Sequence, residues 1–80
     1  METRVAVMSI IVENTSSVDS LNSILHEYRE NIIGRMGIPY KARHINIISI
    51  ALDATQDVVS ALSGRVGALD GVSVTVAFSK

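Results

Sequence analysis

The side chains in this sequence that could do chemistry are few and scattered. His26 and His44 are the two histidines, Glu27 and Glu30 lie close together, and none of the serines sits in a nucleophile-elbow context. Two histidines at no recognised ligand spacing, in a chain without cysteine, do not make a zinc site by themselves. His26, between Leu25 and Glu27, reads as a half-exposed helix residue, and His44, after Arg43, reads as a hairpin-end residue. A site shared between subunits is the remaining way for either to ligate. Glu27 and Glu30 read as solvated charges on one helix face. No dinucleotide or phosphate-loop fingerprint is present, because neither glycine cluster joins a strand to a helix in the required way. These residues point away from an enzyme, and no cofactor or metal is expected.

One motif does resemble a ligand clamp. Ile33-Gly34-Arg35-Met36-Gly37 matches the I-G-x-x-G loop with which KH domains hold single-stranded nucleic acid. In that domain a helix must follow the loop. Here Ile38-Pro39-Tyr40 follows, and the proline biases Ile38 toward extended backbone. The apolar run beginning at Ile45 comes too soon to leave room for a helix with its own buried stripe. The stretch from Asn31 to Tyr40 therefore reads as an edge strand. Ile32, Gly34, Met36, Ile38 and Tyr40 alternate along one face of it, with Arg35 on the other. Gly34 and Gly37 would permit a bulge or the close approach of another backbone.

The elements that must position these residues follow from periodicity. Val5 to Val12 holds seven apolar residues in eight and reads as a strand buried on much of both faces. Glu13 to Ser17 is a turn rich in capping side chains, with Ser16 and Asp19 spaced as a capping box. Val18, Leu21, Leu25, Tyr28 and Ile32 step by three and four, predicting a helix from about Ser17 to Glu30. Lys41-Ala42-Arg43 connects the edge strand to a third extended run, Ile45 to Leu52. Asp53 and Gln56 are spaced as a second capping box. Val58, Val59, Leu62 and Val66 then mark a second helix, with Gly64 weakening its middle and Gly67 suiting its end. After the Asp70-Gly71 turn, Val72, Val74, Val76 and Phe78 alternate with small or polar residues in a last strand.

That order, β-α-β-β-α-β, is the ferredoxin-like split unit: an α+β sandwich with antiparallel strand order 4-1-3-2 and both helices on one face. The two most apolar runs fall in the central strands, and Pro39 falls in an edge strand, where a missing donor is tolerated. One domain over residues 1–80 is expected. With 48% apolar residues and net charge −1, the composition suits a cytoplasmic domain rather than a nucleic-acid binder, which usually carries a basic excess. Val5 to Val12 is far shorter than the ~20 residues of a membrane span.

Apolar residues on both sides of the first and third strands imply that the sheet face away from the helices is covered by something else. The expectation is a homo-oligomer, a dimer or tetramer, with Met8, Ile10, Gly34, Met36, Ile48 and Ile50 at its interface. An RNA-binding sheet of this fold displays aromatic residues on its central strands, and these strands have none. The basic group Arg35, Lys41, Arg43 and His44 reads as a solvated hairpin.

The run from Arg43 through Phe78, and especially its ending Val66-Gly-Ala-Leu-Asp-Gly-Val-Ser-Val-Thr-Val, resembles the C-terminal half of ACT-like regulatory domains, and the ligand-binding domain of the nickel-responsive repressor ends in a similar way. Taken whole, METRVAVMSIIVEN followed by IIGRMGIPYKARHINIISIALDATQDVVSALSGRVGALDGVSV resembles a family of short proteins described as iron-only hydrogenase system regulators. IIGRMGIPY is the most specific part of the match. The resemblance implies an oligomeric ACT-like module with a regulatory role. It also implies a small-molecule effector bound near Asn14, Thr15 and Ser16, together with Arg35 and Gly37 of the edge strand. The other reading is a ligand-free module that docks on a larger protein partner through its sheet. The repressor's nickel site needs a cysteine that is absent here, so nickel is not expected.

Overall fold

The computed structural model describes residues 2–80. Strand β1 spans Arg4–Val12, helix α1 Val18–Glu27, strand β2 Ile32–Tyr40, strand β3 Ile45–Ala54, helix α2 Gln56–Gly67 and strand β4 Val72–Phe78. The four strands form one antiparallel sheet in the order β2-β3-β1-β4, as the element order predicts for a ferredoxin-like fold. No helix among the described residues is long and apolar enough to cross a membrane.

Residues directly opposite one another in an antiparallel pair share a face of the sheet. Met8 opposes Ile50 and Ile10 opposes Ile48, and both pairs lie under the helices. Ala6, Val12, Leu52 and Ala54 complete that side, against Leu21, Ile24 and Leu25 of α1 and Val59, Leu62 and Val66 of α2. This closed face is the core. It corrects the interface expected at Met8, Ile10, Ile48 and Ile50. Those side chains are 0%, 0%, 7% and 0% exposed within their own chain, because the helix stripes cover that side.

The open face carries the other alternating set. Val7 opposes Ala51, Ile11 opposes Ile47, and Ile47 opposes Ile38 in turn. Gly34, Met36 and Tyr40 continue this face along β2, opposite Ala51, Ser49 and Ile45. Val7, Ile11, Met36, Ile38, Tyr40 and Ile47 each keep two-fifths or more of their surface exposed. The one register shift in β2 is a bulge between Ile32 and Gly34. It moves Ile32 to the helix side, together with Arg35 and apart from Met36. The extra residue, Ile33, is 63% exposed.

Local chemistry closes the elements at positions other than those expected. The β1–α1 connection is a short 3-10 turn, Thr15–Ser17, capped by Asn14, whose side chain accepts from the Ser16 N–H. Ser17, at the start of α1, makes no side-chain cap, so Ser16 and Asp19 do not form a box. The helix ends at Glu27, and a second 3-10 turn, Arg29–Asn31, leads into β2. For α2 the cap is Thr55, accepting from the Val58 N–H at 3.2 Å, while Asp53 remains inside β3. His44 takes the left-handed conformation, φ 55°, after the 3-10 turn Lys41–Arg43.

Glycine matters most at the α2–β4 turn. Gly71 has φ +69°, and a Cβ there would lie 2.6 Å from Asn14 Cβ and 2.9 Å from its backbone nitrogen. Close backbone approach thus occurs at Gly71. A Cβ at Gly34 or Gly37 would meet nothing within 4 Å in the same chain.

Candidate functional site

The sequence places the ligand-binding candidates on two elements, the β1–α1 loop and β2. The loop residues are tied to the α2–β4 turn. Asn14 donates from Nδ2 to Asp70 Oδ2 at 2.7 Å, and its Oδ1 accepts from Ser16 Oγ at 2.6 Å and from the Ser16 N–H at 3.0 Å. Ser17, buried, donates from Oγ to the Asp70 carbonyl at 2.7 Å, and the Glu13 N–H donates to the Gly71 carbonyl at 2.7 Å. Asn14 therefore fastens the β1–α1 loop to the α2–β4 turn, and Ser16 is tied to Asn14 within its own loop.

The other three candidates face a groove between α1 and β2. Thr15 borders a hollow at the hairpin end with Pro39, Tyr40, Lys41, His44 and Asn46. Arg35 and Gly37 border the next hollow with Val18, Asn22, Pro39, Asn46 and Ile48. A third, toward the end of α1, adds His26, Arg29 and Ile32 to Asn22 and Arg35. The hollows lie in a row and share lining residues, Pro39 and Asn46 between the first two and Asn22 and Arg35 between the last two, forming a segmented groove with His44 near one end and His26 near the other. The histidines are thus kept apart. Among the described residues no group of three His, Asp or Glu side chains could hold a metal ion.

The groove is built by α1 periodicity and the strand alternation of β2. Val18, Asn22, His26 and Arg29 recur at helical spacing along one stripe, and Arg35, Gly37 and Pro39 alternate on the helix side of β2. Arg35 donates from Nη2 to Asn22 Oδ1 at 3.2 Å, bridging the two walls. Arg29 donates from Nη1 to the His26 carbonyl at 3.0 Å, at the end of the helix where carbonyls lack partners. The charged lining residues are Arg29, Arg35 and Lys41, joined by the two histidines, with no carboxylate among them. Asn22 and Asn46 were not singled out from the sequence. The available signal for Asn22 is its place one helical turn from both Val18 and His26, on the polar border of the buried stripe.

Electrostatic perturbation lies elsewhere, across the outer surface of the helix layer. Arg65 of α2 meets Glu27 of α1 in a two-pronged pair, 3.0 and 2.9 Å, and its guanidinium lies 5.8 Å from the Tyr28 ring centre. The hydrogen bonds from Arg65, then its charge, hold the Glu27 carboxyl below its ordinary value, and the same pairing raises Arg65. Both side chains are solvent-exposed, so this is a helix-to-helix clasp rather than a catalytic pair.

Comparison with known proteins follows the same geometry. A solved structure titled "The structure of uncharacterized protein TM1266 from Thermotoga maritima" superposes with a TM-score of 0.94 at 31% identity, covering 99% of this chain and 100% of that one. No curated protein matches. The family model "TM1266-like: Iron-only hydrogenase system regulator, putative" matches residues 4–76, nearly all of the described sheet and both helices. The chain belongs to that TM1266-like family.

Proposed function

We propose that the chain is a non-catalytic, cytoplasmic regulatory module that works as a homo-oligomer and senses a small ligand in the groove between α1 and β2. The observation that carries this reading is the open sheet face. Six large apolar side chains from three strands stand there more than two-fifths exposed, a patch of the kind that marks a protein interface. Four strands and two helices amount to two layers, and an 80-residue domain buries only about 60–65% of its unfolded surface. A second molecule over the open face would supply the missing third layer. The groove supports the sensing part, because it sets Arg35, Lys41 and two asparagine amides beside apolar walls, the mix a small-molecule site requires.

The experiment is a thermal-shift screen with amino acids, nucleotides and divalent metals, repeated on Arg35→Ala. A ligand bound to the native state raises the melting temperature by mass action. The expected result is a hit whose shift shrinks in Arg35→Ala, and the absence of any hit would remove ligand sensing from the proposal. The internal bonding of Asn14 and Ser16 favours the second reading, a ligand-free module docking on a larger protein. That reading predicts a stoichiometric partner recovered from native cells and no small-molecule stabilisation.

A further inference from the structure

The sheet has two edges, and they are finished differently. β2 carries the bulge between Ile32 and Gly34, the charge of Arg35, and Pro39, which lacks a donor. Each is a device that blunts an edge against further pairing. β4, Val-Ser-Val-Thr-Val-Ala-Phe, has no proline and no charge, and its register with β1 is unbroken. An edge of that composition is a template for another strand.

The groups it offers can be named. The Ser79 N–H donates to the Val5 carbonyl at 2.8 Å, and the Glu13 N–H to the Gly71 carbonyl at 2.7 Å. Odd-numbered residues at both ends of β4 therefore bond toward β1. Antiparallel ladders alternate, so the N–H and C=O groups of Val74, Val76 and Phe78 and the C=O of Val72 point away from the sheet, while the Val72 N–H is held by the Leu69 carbonyl at 3.3 Å. No strand lies beside them.

We propose that β4 pairs antiparallel with β4 of a second copy of this chain, about a two-fold axis at Thr75, to make one eight-stranded sheet. Two independent requirements meet in this register. Val74 and Val76 exchange both ladder bonds with Val76 and Val74 of the second copy, and the Val72 carbonyl lies opposite the Phe78 N–H. The same register brings Lys80 of one copy beside Asp70 of the other, twice, once on each side of the axis. Asp70 gives only Oδ2 to Asn14, and the one ion pair among the described residues is Arg65–Glu27, so Lys80 has no carboxylate within its own chain. On the axis the two threonines face each other on the open side, a favourable cross-strand pair. Pairing at this edge also joins two open faces into one continuous apolar surface. The proposal deepens the assembly reading above, from which it takes only that the chain self-associates.

The test is amide hydrogen exchange on the full chain, above and below the concentration at which sedimentation shows it to dissociate. The expected result is protection of the Val74 and Val76 amides that is lost on dilution, while the Ser73 and Thr75 amides, bonded to β1, hardly change. Thr75 is exposed in the single chain, so Thr75→Lys should fold. It sets two ammonium groups against each other on the axis and should weaken association about tenfold or more, since like charges brought together at an interface cost several kcal/mol. Lys80→Glu should weaken it by less. A dimer whose Val74 and Val76 amides exchange at the same rate at both concentrations would overturn the β4 pairing and leave self-association standing. A chain that stays monomeric at every concentration would overturn both.

Discussion

The two faces of β1 are built from the same kinds of residue and meet opposite surroundings. Ala6, Met8, Ile10 and Val12 are at most 1% exposed, while their neighbours Val5, Val7 and Ile11 are 42–45% exposed. Nothing in the side chains themselves separates the two sets. The difference lies in the helices, whose apolar stripes cover one side only. A strand that is apolar on both faces is suited to burial on both, and only the proposed second molecule would supply that burial on the open side.

The largest expected effect tests that contrast directly. Ile10→Ala should cost about 3 kcal/mol of unfolding stability, the usual loss for a truncated core isoleucine. Ile11→Ala, one residue along, should change the dilute chain by less than about 1 kcal/mol and should act instead on self-association. Urea unfolding at low concentration measures the first, and sedimentation the second. Equal losses in the dilute chain would erase the distinction between the faces.

A second pair of substitutions sharpens what holds the helix layer down on the closed face. Gly71→Ala must take a left-handed backbone and push Asn14 aside, and should cost about 1–3 kcal/mol. Gly37→Ala puts its methyl into open space and should stay within about 1 kcal/mol of the parent in either direction. A Gly37 variant that melted far earlier than the Gly71 variant would mean that β2, not the knot at Asn14, is the tightly packed place.

The smallest effect belongs to the outside of the closed layer. Glu27 has a folded carboxyl held below its ordinary value of 4.5 by Arg65. Its contribution is therefore complete above about that value and is lost as pH falls through the depressed folded value. The melting difference between the parent and Glu27→Gln should be small and steady at neutral pH and should vanish in acid. Both groups are solvated, and salt should shrink the difference further.

Much of this architecture is legible in the residues alone. The alternation of Val72 to Phe78 and the three-and-four spacing of Val18, Leu21 and Leu25 name their elements without a structure. Which side of β1 meets the helices is not legible, because Met8 and Val7 are equally apolar and parity fixes the sets but not their assignment. The caps are misread for a related reason. Glu13 to Ser17 offers several capable side chains in a row, and Asn14 is selected by its long-range bond to Asp70 rather than by spacing. Of the proposed ligand residues, Thr15, Arg35 and Gly37 fall in one groove because helix and strand periods can be read locally. Asn14 and Ser16 do not, since Asn14 is drawn to Asp70, distant in sequence, and Ser16 is bonded to Asn14.

The pairing of β1 has a consequence for synthesis. This strand, synthesised before the other three, bonds to β3 and β4 and never to β2. Until the codons for β4 are read, one side of β1 has no neighbour, and the knot between Asn14 and Gly71 cannot form. The nascent chain must therefore carry a nearly uninterrupted apolar segment, Val5 to Val12, until β4 has been made and the sheet can close. Arrest during that interval is expected to leave an aggregation-prone species, and a chaperone that holds such segments would act here on β1 while β4 is still to come.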